Sequence, residues 1–249
     1  MAGHSKWKQI KRKKAVADSR RSSVWTKAIR EITVAARAGG GDPGGNPRLR
    51  TALDAARAVN MPNENIDRAI KKGTGELEGA TYEELTYEGY GPGGAAIFIE
   101  VTTDNPNRTV AEIRHAFSRN GGNLGASNSV AWMFDRKGQI SLDARGSAED
   151  QTLEAALDLG AEDFSKDGEQ YLVTTAPADF HAVRDGLKAR RFVVESAELG
   201  MVPKNTVRVE GEDATRILRL MEALEELDDV SKVSSNFDID AAAMAAAEA

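Results

Sequence analysis

The chain has 249 residues, 41% hydrophobic and 29% charged, enough for one to three domains with sizeable cores. It has no cysteine, which excludes disulfides, thiolate zinc sites and Cys nucleophiles and suits a reducing cytosol; no apolar run approaches the ~20 residues of a membrane span, and no apolar stretch follows the basic start to make a secretory signal. The net charge of −6 alone argues against a polyanionic partner, but the charge is segregated: residues 1–75 carry 17 Lys+Arg and 6 Asp+Glu, a net of +11, which leaves 16 basic and 33 acidic residues, a net of −17, in the remainder.

The basic excess begins at once. Lys6, Lys8, Lys11, Arg12, Lys13 and Lys14 precede the first acid, Asp18, and Arg20 and Arg21 follow it. Closely spaced like charges repel, and neutralisation by phosphates offsets that repulsion, so nucleic acid is the expected partner of this arm. A solvated basic tail is the plainer alternative. Trp7 lies among the lysines without apolar neighbours at helical spacing, which makes it a candidate to stack on a base; packing against the following helices is its alternative.

Ser22 or Ser23 can cap a helix whose apolar positions are Val24, Trp25, Ala28, Ile29, Ile32, Ala35 and Ala36, with Trp25 a core residue. Lys27, Arg30 and Arg37 fall off that stripe, and Gly39-Gly40 ends it. GGGDPGGNP (39–47) lacks the Lys-Ser/Thr end of a phosphate-binding loop and reads as a connection, with Asn46 as cap and Pro47 at the first helical position. Leu49, Leu53, Ala56 and Val59 mark a second helix. Ile66, Ala69 and Ile70 mark a third, which ends in Lys71-Lys72 and stops at Gly73. Three single-striped helices bury their stripes on one another, so residues 22–73 form a small bundle.

After an acidic, Gly-containing linker (74–80) the period changes. Tyr82 to Tyr90 and Ala95 to Thr103 are strands around a GPGG turn; a helix with Val110, Ile113, Ala116 and Phe117 on one face follows; SVAWMF (129–134) and Gln139–Leu142 are strands. A similar order continues: a helix marked by Leu153, Ala156, Leu157 and Leu159, a strand at 170–174, a helix opened by Pro177, and a strand from Phe192. Thr206–Val209, a helix with Ile217, Leu218, Met221 and Leu224, and a strand over Val230–Phe237 close the fold. Such short units suit split α+β sandwiches with helices on one sheet face. An alanine-rich tail spans 241–249.

His4, His115 and His181 lie on separate elements, no HExxH or GxSxG occurs, and neither a metal nor a cofactor is expected. The one enzyme-like grouping is Glu100, Asp104, Arg108 and His115, where the second strand meets its helix; caps and surface charges account for it equally well.

GHSKW (3–7), TKAIREITVAARAGGGDP (26–43), NPRLR (46–50), NMP (60–62), IKKGTGE (70–76), YEGYGPGG (87–94), NRTVAEIRHAFSRNGGNLG (107–125) and WMF (132–134) resemble the YebC-type family, also called the probable transcriptional regulatory protein family, which includes mitochondrial translational activators. The resemblance implies an α+β protein: an N-terminal three-helix domain followed by two ferredoxin-like-type α+β domains, the third inserted in the second. The boundaries are then 1–75 for the arm and bundle, 76–135 plus 204–240 for one α+β domain and 136–203 for the inserted one. The strand at 206–209 is then expected to return to the sheet begun at Tyr82. Two departures stand out: RSSVWTK (21–27) replaces a more basic RGKIFTK-like stretch, and Pro106 stands where relatives usually have a basic residue.

The expected function is a non-enzymatic cytoplasmic nucleic-acid-binding regulator, in the first place a DNA-binding transcriptional regulator. The alternative is a ribosome-associated translation factor that binds ribosomal RNA and relieves stalls; an enzyme built on residues 100–115 is the outsider. The expected contact residues are Lys6, Trp7, Lys8, Lys11, Arg12, Lys13, Lys14, Arg20 and Arg21 of the arm, with Lys27, Arg30, Lys71 and Lys72 on the bundle.

Overall fold

The computed structural model describes residues 21–240, with side chains from Ser23 onward. They divide into two compact units, one of residues 132–206 and one of 21–131 with 207–240.

The second-named unit opens with the bundle: α1 (Arg21–Gly39), α2 (Pro47–Ala58) and α3 (Asn63–Thr74). Ile32, Ala35 and Ala36, Leu49, Leu53 and Ala56, and Ile66 and Ala69 pool their stripes into one core. Trp25 packs against it, as its spacing predicts, and its indole N–H donates to the Val59 carbonyl at 3.1 Å. Asn46 caps α2, accepting from the Leu49 amide at 3.0 Å while its own amide donates to the carbonyls of Ala35 and Gly40. Gly73 does not stop α3. It is buried inside the helix at the crossing with α1, where a Cβ would run into the Thr33 carbonyl and lie 2.7 Å from Ala36 Cβ. The stop is Gly75, at φ 84°.

The same unit continues with β1 (Glu83–Tyr90), β2 (Ala96–Thr103), α4 (Pro106–Arg119) and β3 (Asn123–Leu124). Its sheet runs β3-β1-β2 and then a strand from late in the chain (Val230–Ser235), antiparallel throughout. Ile97, Ile99 and Val101 point from β2 to a core shared with Ile113 and Phe117 of α4 and with Ile217, Leu220, Met221 and Leu224 of a later helix. Residues 132–206 add β4 (Phe134–Asp143), α5 (Glu149–Asp158), β5 (Asp163–Asp167), β6 (Gln170–Thr175), α6 (Phe180–Ala189) and β7 (Val194–Pro203). That β-α-β-β-α-β run, in the antiparallel order β5-β6-β4-β7, is the split βαβ arrangement. The chain then returns through β8 (Val207–Arg208), α7 (Gly211–Glu226), β9 (Val230–Ser235) and β10 (Phe237–Asp238). The molecule is thus α+β, a helical N-terminal region followed by sheet-containing parts.

Four further expectations fail for physical reasons. SVAWMF is not a strand: the Glu88 carboxylate accepts from the amides of Asn128, Val130 and Ala131 at 2.7–2.8 Å and folds that stretch into turns, so the strand begins only at Phe134. The strand at 206–209 does not join the sheet begun near Tyr82; Val207 and Arg208 pair in parallel with Phe237 and Asp238, and β9 occupies that sheet edge. The strand expected over Val230–Phe237 is split at Asn236, whose side chain takes the Ala96 amide at 2.7 Å. On α5 the buried positions are Thr152, Ala155 and Ala156, while Leu157, expected to mark the packed face, is 53% exposed.

Candidate nucleic-acid interface

Lys6, Trp7, Lys8, Lys11, Arg12, Lys13, Lys14 and Arg20 lie outside the described residues; Arg21 opens α1, and its side chain is likewise outside them. The bundle cations are sorted by the fold. Lys71 is exposed and Lys72 half-buried in the last turn of α3, where cations favour the helix dipole.

Lys27 and Arg30, which fall off the apolar stripe and are expected nucleic-acid contacts, are directed toward the α+β part of the same unit. The Lys27 ammonium donates to the Glu225 carbonyl at 2.5 Å. Arg30, with only 13% of its side chain exposed, donates to the Asp228 carbonyl at 2.6 Å, the Thr102 carbonyl at 3.3 Å and Asp229 Oδ1 at 2.5 Å, and its guanidinium lies 5.6 Å from the centre of the Tyr82 ring. Two turns before Arg30, Ser23 donates to Asp228 Oδ1 at 3.0 Å. One face of α1 is therefore seated on the corner between α7 and β9.

The centre of that corner is a residue the sequence reading passed over. Asp229 is 3% exposed. Its Oδ2 accepts from Arg108 at 2.7 Å, from the Thr109 hydroxyl at 2.6 Å and from the Thr103 hydroxyl at 3.1 Å, while Arg30 holds Oδ1. Burial pushes its carboxyl up, but the hydrogen bonds from Thr109, Arg108 and Arg30 outweigh burial and hold it below the usual carboxylate range. Arg108 also donates to Asp104 at 2.8 Å, and its two carboxylate partners, Asp229 and then Asp104, raise its pKa. Pro106 starts α4 behind the Asn105 cap, which accepts the Arg108 amide at 3.1 Å.

The grouping of Glu100, Asp104, Arg108 and His115 is thus assembled differently from expectation. Asp104 and Arg108 meet and add Asp229; Glu100 lies across from Lys232 in the β2–β9 pair; His115 is exposed on α4, and among the described residues no contact joins it to the others. Among the described residues no three His, Cys, Asp or Glu side chains are arranged to hold a metal ion. No described helix is long and apolar enough to cross a membrane. A second tie joins the bundle to β1: Arg48 of α2 pairs with Glu31 at 2.8 Å and Glu84 at 2.5 Å, at a more exposed position.

Comparison with known proteins matches both parts of this arrangement. Residues 5–76 fit the TACO1/YebC protein N-terminal domain, and residues 82–237 fit the TACO1/YebC second and third domain. The chain belongs to the TACO1/YebC family. A probable transcriptional regulatory protein of Gemmatimonas aurantiaca is 62% identical over 245 residues, covering 98% of this chain and 99% of that one. One from Chlorobaculum parvum is 55% identical over 249 residues, covering 100% and 99%. Among solved structures, a conserved hypothetical protein of Aquifex aeolicus superposes with a TM-score of 0.82 at 47% identity, over 90% of this TACO1/YebC chain and 92% of the other.

Proposed function

We propose that this TACO1/YebC protein is a non-enzymatic, cytoplasmic, DNA-binding regulator of transcription that needs no cofactor and grips phosphates through its basic arm. The observation that carries the reading is the partition of charge: seven Lys+Arg against one Asp in residues 1–20, ahead of a strongly acidic remainder. Field and counter-field orient the encounter, since phosphate is drawn to the arm and repelled by the rest. The name probable transcriptional regulatory protein, carried by the relatives above, supports a regulatory role. Lys6, Lys8, Lys11 to Lys14, Arg20 and Arg21 make the phosphate contacts, with Trp7 against a base and Lys71 and Lys72 beside them on the bundle. Binding to a DNA duplex weakens with salt, at about 0.9 in log K per log salt for each phosphate engaged. Alanine at the arm cations flattens that slope; an unchanged slope refutes the reading.

One observation favours a second target. Lys27 and Arg30, the cations of α1 expected to contact nucleic acid, are held by Glu225, Asp228 and Asp229. A basic arm with one Trp suits folded RNA and single strands, where stacking and phosphate contact dominate. Sedimentation of a lysate through sucrose separates the two: co-migration with ribosomes supports a translation factor on ribosomal RNA, and protection of promoter DNA without ribosome association supports transcription.

A further inference from the structure

We propose that Asp229 is a positioning residue for the basic arm: its buried carboxylate clamps α1, the helix into which the arm runs, onto the α+β part of the same unit, and so fixes where the arm leaves the body. The inference rests on the arm being the phosphate-binding element.

The carboxylate joins four pieces of chain. Arg30 brings α1, Thr103 the end of β2, Arg108 and Thr109 the first turn of α4, and Asp229 itself the corner between α7 and β9. Each partner donates, so the site is complete only with a full negative charge at its centre. Without Asp229 the Thr109 hydroxyl proton turns to Thr103 at 2.8 Å or to the Asn105 carbonyl at 3.0 Å, and Arg108 keeps Asp104, so the α4 side has other support. Arg30 has no second carboxylate: without Asp229 its largely buried guanidinium keeps the carbonyls of Asp228 and Thr102 and the ring of Tyr82. The Arg30 side of the clamp is therefore the side that loses its only carboxylate with Asp229, and Ser23, Lys27 and Arg48 are left as the remaining ties of the bundle.

Salt separates the clamp from the arm. Exposed charge contacts weaken within the ordinary range of ionic strength, and a pair as buried as Arg30–Asp229 is screened far less. The exposed tie at Arg48 fades with salt; the Asp229 tie persists. A fixed root keeps the acidic α+β part from swinging against the arm and competing with phosphate for its cations, without changing how many phosphates the arm neutralises.

The test uses the full chain with two probes, a fluorescein-labelled DNA duplex and a fluorescein-labelled RNA hairpin, titrated across a salt series. Asp229→Asn keeps the shape but turns an amide donor toward donors. The expected result is binding about tenfold weaker to whichever probe the wild type binds, with an unchanged salt slope and faster amide exchange in α1. Arg30→Met cuts only the bundle side, leaving Asp229 with Arg108, Thr103 and Thr109, and gives the same pattern should Asp229→Asn fail to fold. Wild-type affinity in Arg30→Met overturns the proposal, and so does a reduced slope, which would make Arg30 itself a phosphate contact. Alanine substitution of the arm distinguishes the levels. If it flattens the slope while the clamp variants bind normally, only the positioning role falls; if the slope does not move, the phosphate reading falls and takes this inference with it.

Discussion

Two buried carboxylates organise the turns and corners of this molecule, and neither is legible as such in the sequence. Asp229 ends an acidic run, EALEELDD, and reads there as one more surface charge. Nothing in local spacing announces that Thr103, Thr109, Arg108 and Arg30, up to 199 positions away, will converge on it. Removing one side of a buried, hydrogen-bonded pair leaves an uncompensated charge, so Asp229→Ala should lower stability by roughly 3 kcal/mol in denaturant melts. The pH dependence has a definite sign. The folded pKa lies below the unfolded value of about 3.9, so the contribution is complete above that value and is lost as pH falls through the folded pKa. Wild-type and Asp229→Ala melts should therefore draw together in acid; a gap that stays constant would deny the ion pair its role. Glu88 is the second case. In β1 it occupies a position of the alternating pattern that sequence assigns to the surface, yet it is 5% exposed and holds three backbone amides. Glu88→Gln replaces one acceptor by a donor facing amides and should cost about 2 kcal/mol, with faster amide exchange confined first to residues 126–131.

At the level of elements, the helices were readable and several strands were not, for one physical reason. Each bundle helix carries its own stripe, so periodicity, the Asn46-Pro47 start and the glycines at 39–40 suffice. Strands take their identity from partners. β5, DFSKD, is polar and owes its conformation to pairing with β6, and β3 is two residues held against Gly89 and Tyr90. SVAWMF has the composition of a strand and loses its amides to Glu88. Gly73 shows the same limit within a helix: a glycine near a helix end reads as a stop, and only the crossing with α1 reveals it as a contact point. That crossing yields a prediction in which two effects oppose. Helix propensity favours alanine over glycine by about 1 kcal/mol, whereas a Cβ there meets the Thr33 carbonyl and Ala36. Overpacking at such a contact costs about 1–3 kcal/mol, so Gly73→Ala should melt at lower temperature than wild type with its helix content retained. A higher melting temperature would mean that the α1–α3 contact yields without penalty.

For the whole molecule, charge is the property that sequence delivers most directly, because it needs no fold to be counted. The +11 of residues 1–75 against −17 beyond them is fixed by composition alone, and the family match over 5–76 and 82–237 is consistent with two parts of different character. What composition leaves hidden is the destination of each cation. The fold assigns Lys27, Arg30 and Arg48 to internal ties and leaves Lys71 at the surface, so the bundle contributes less free positive charge than its count suggests. The burden of phosphate binding then falls on the segment ahead of α1. The most direct measurement compares the intact chain with one beginning at Ser22, titrating each with labelled DNA duplex, labelled RNA hairpin and purified ribosomes across a salt series. The account predicts that the shortened protein, still folded, loses most of its affinity and most of its salt dependence; equal affinity and equal slope for the two proteins would contradict it.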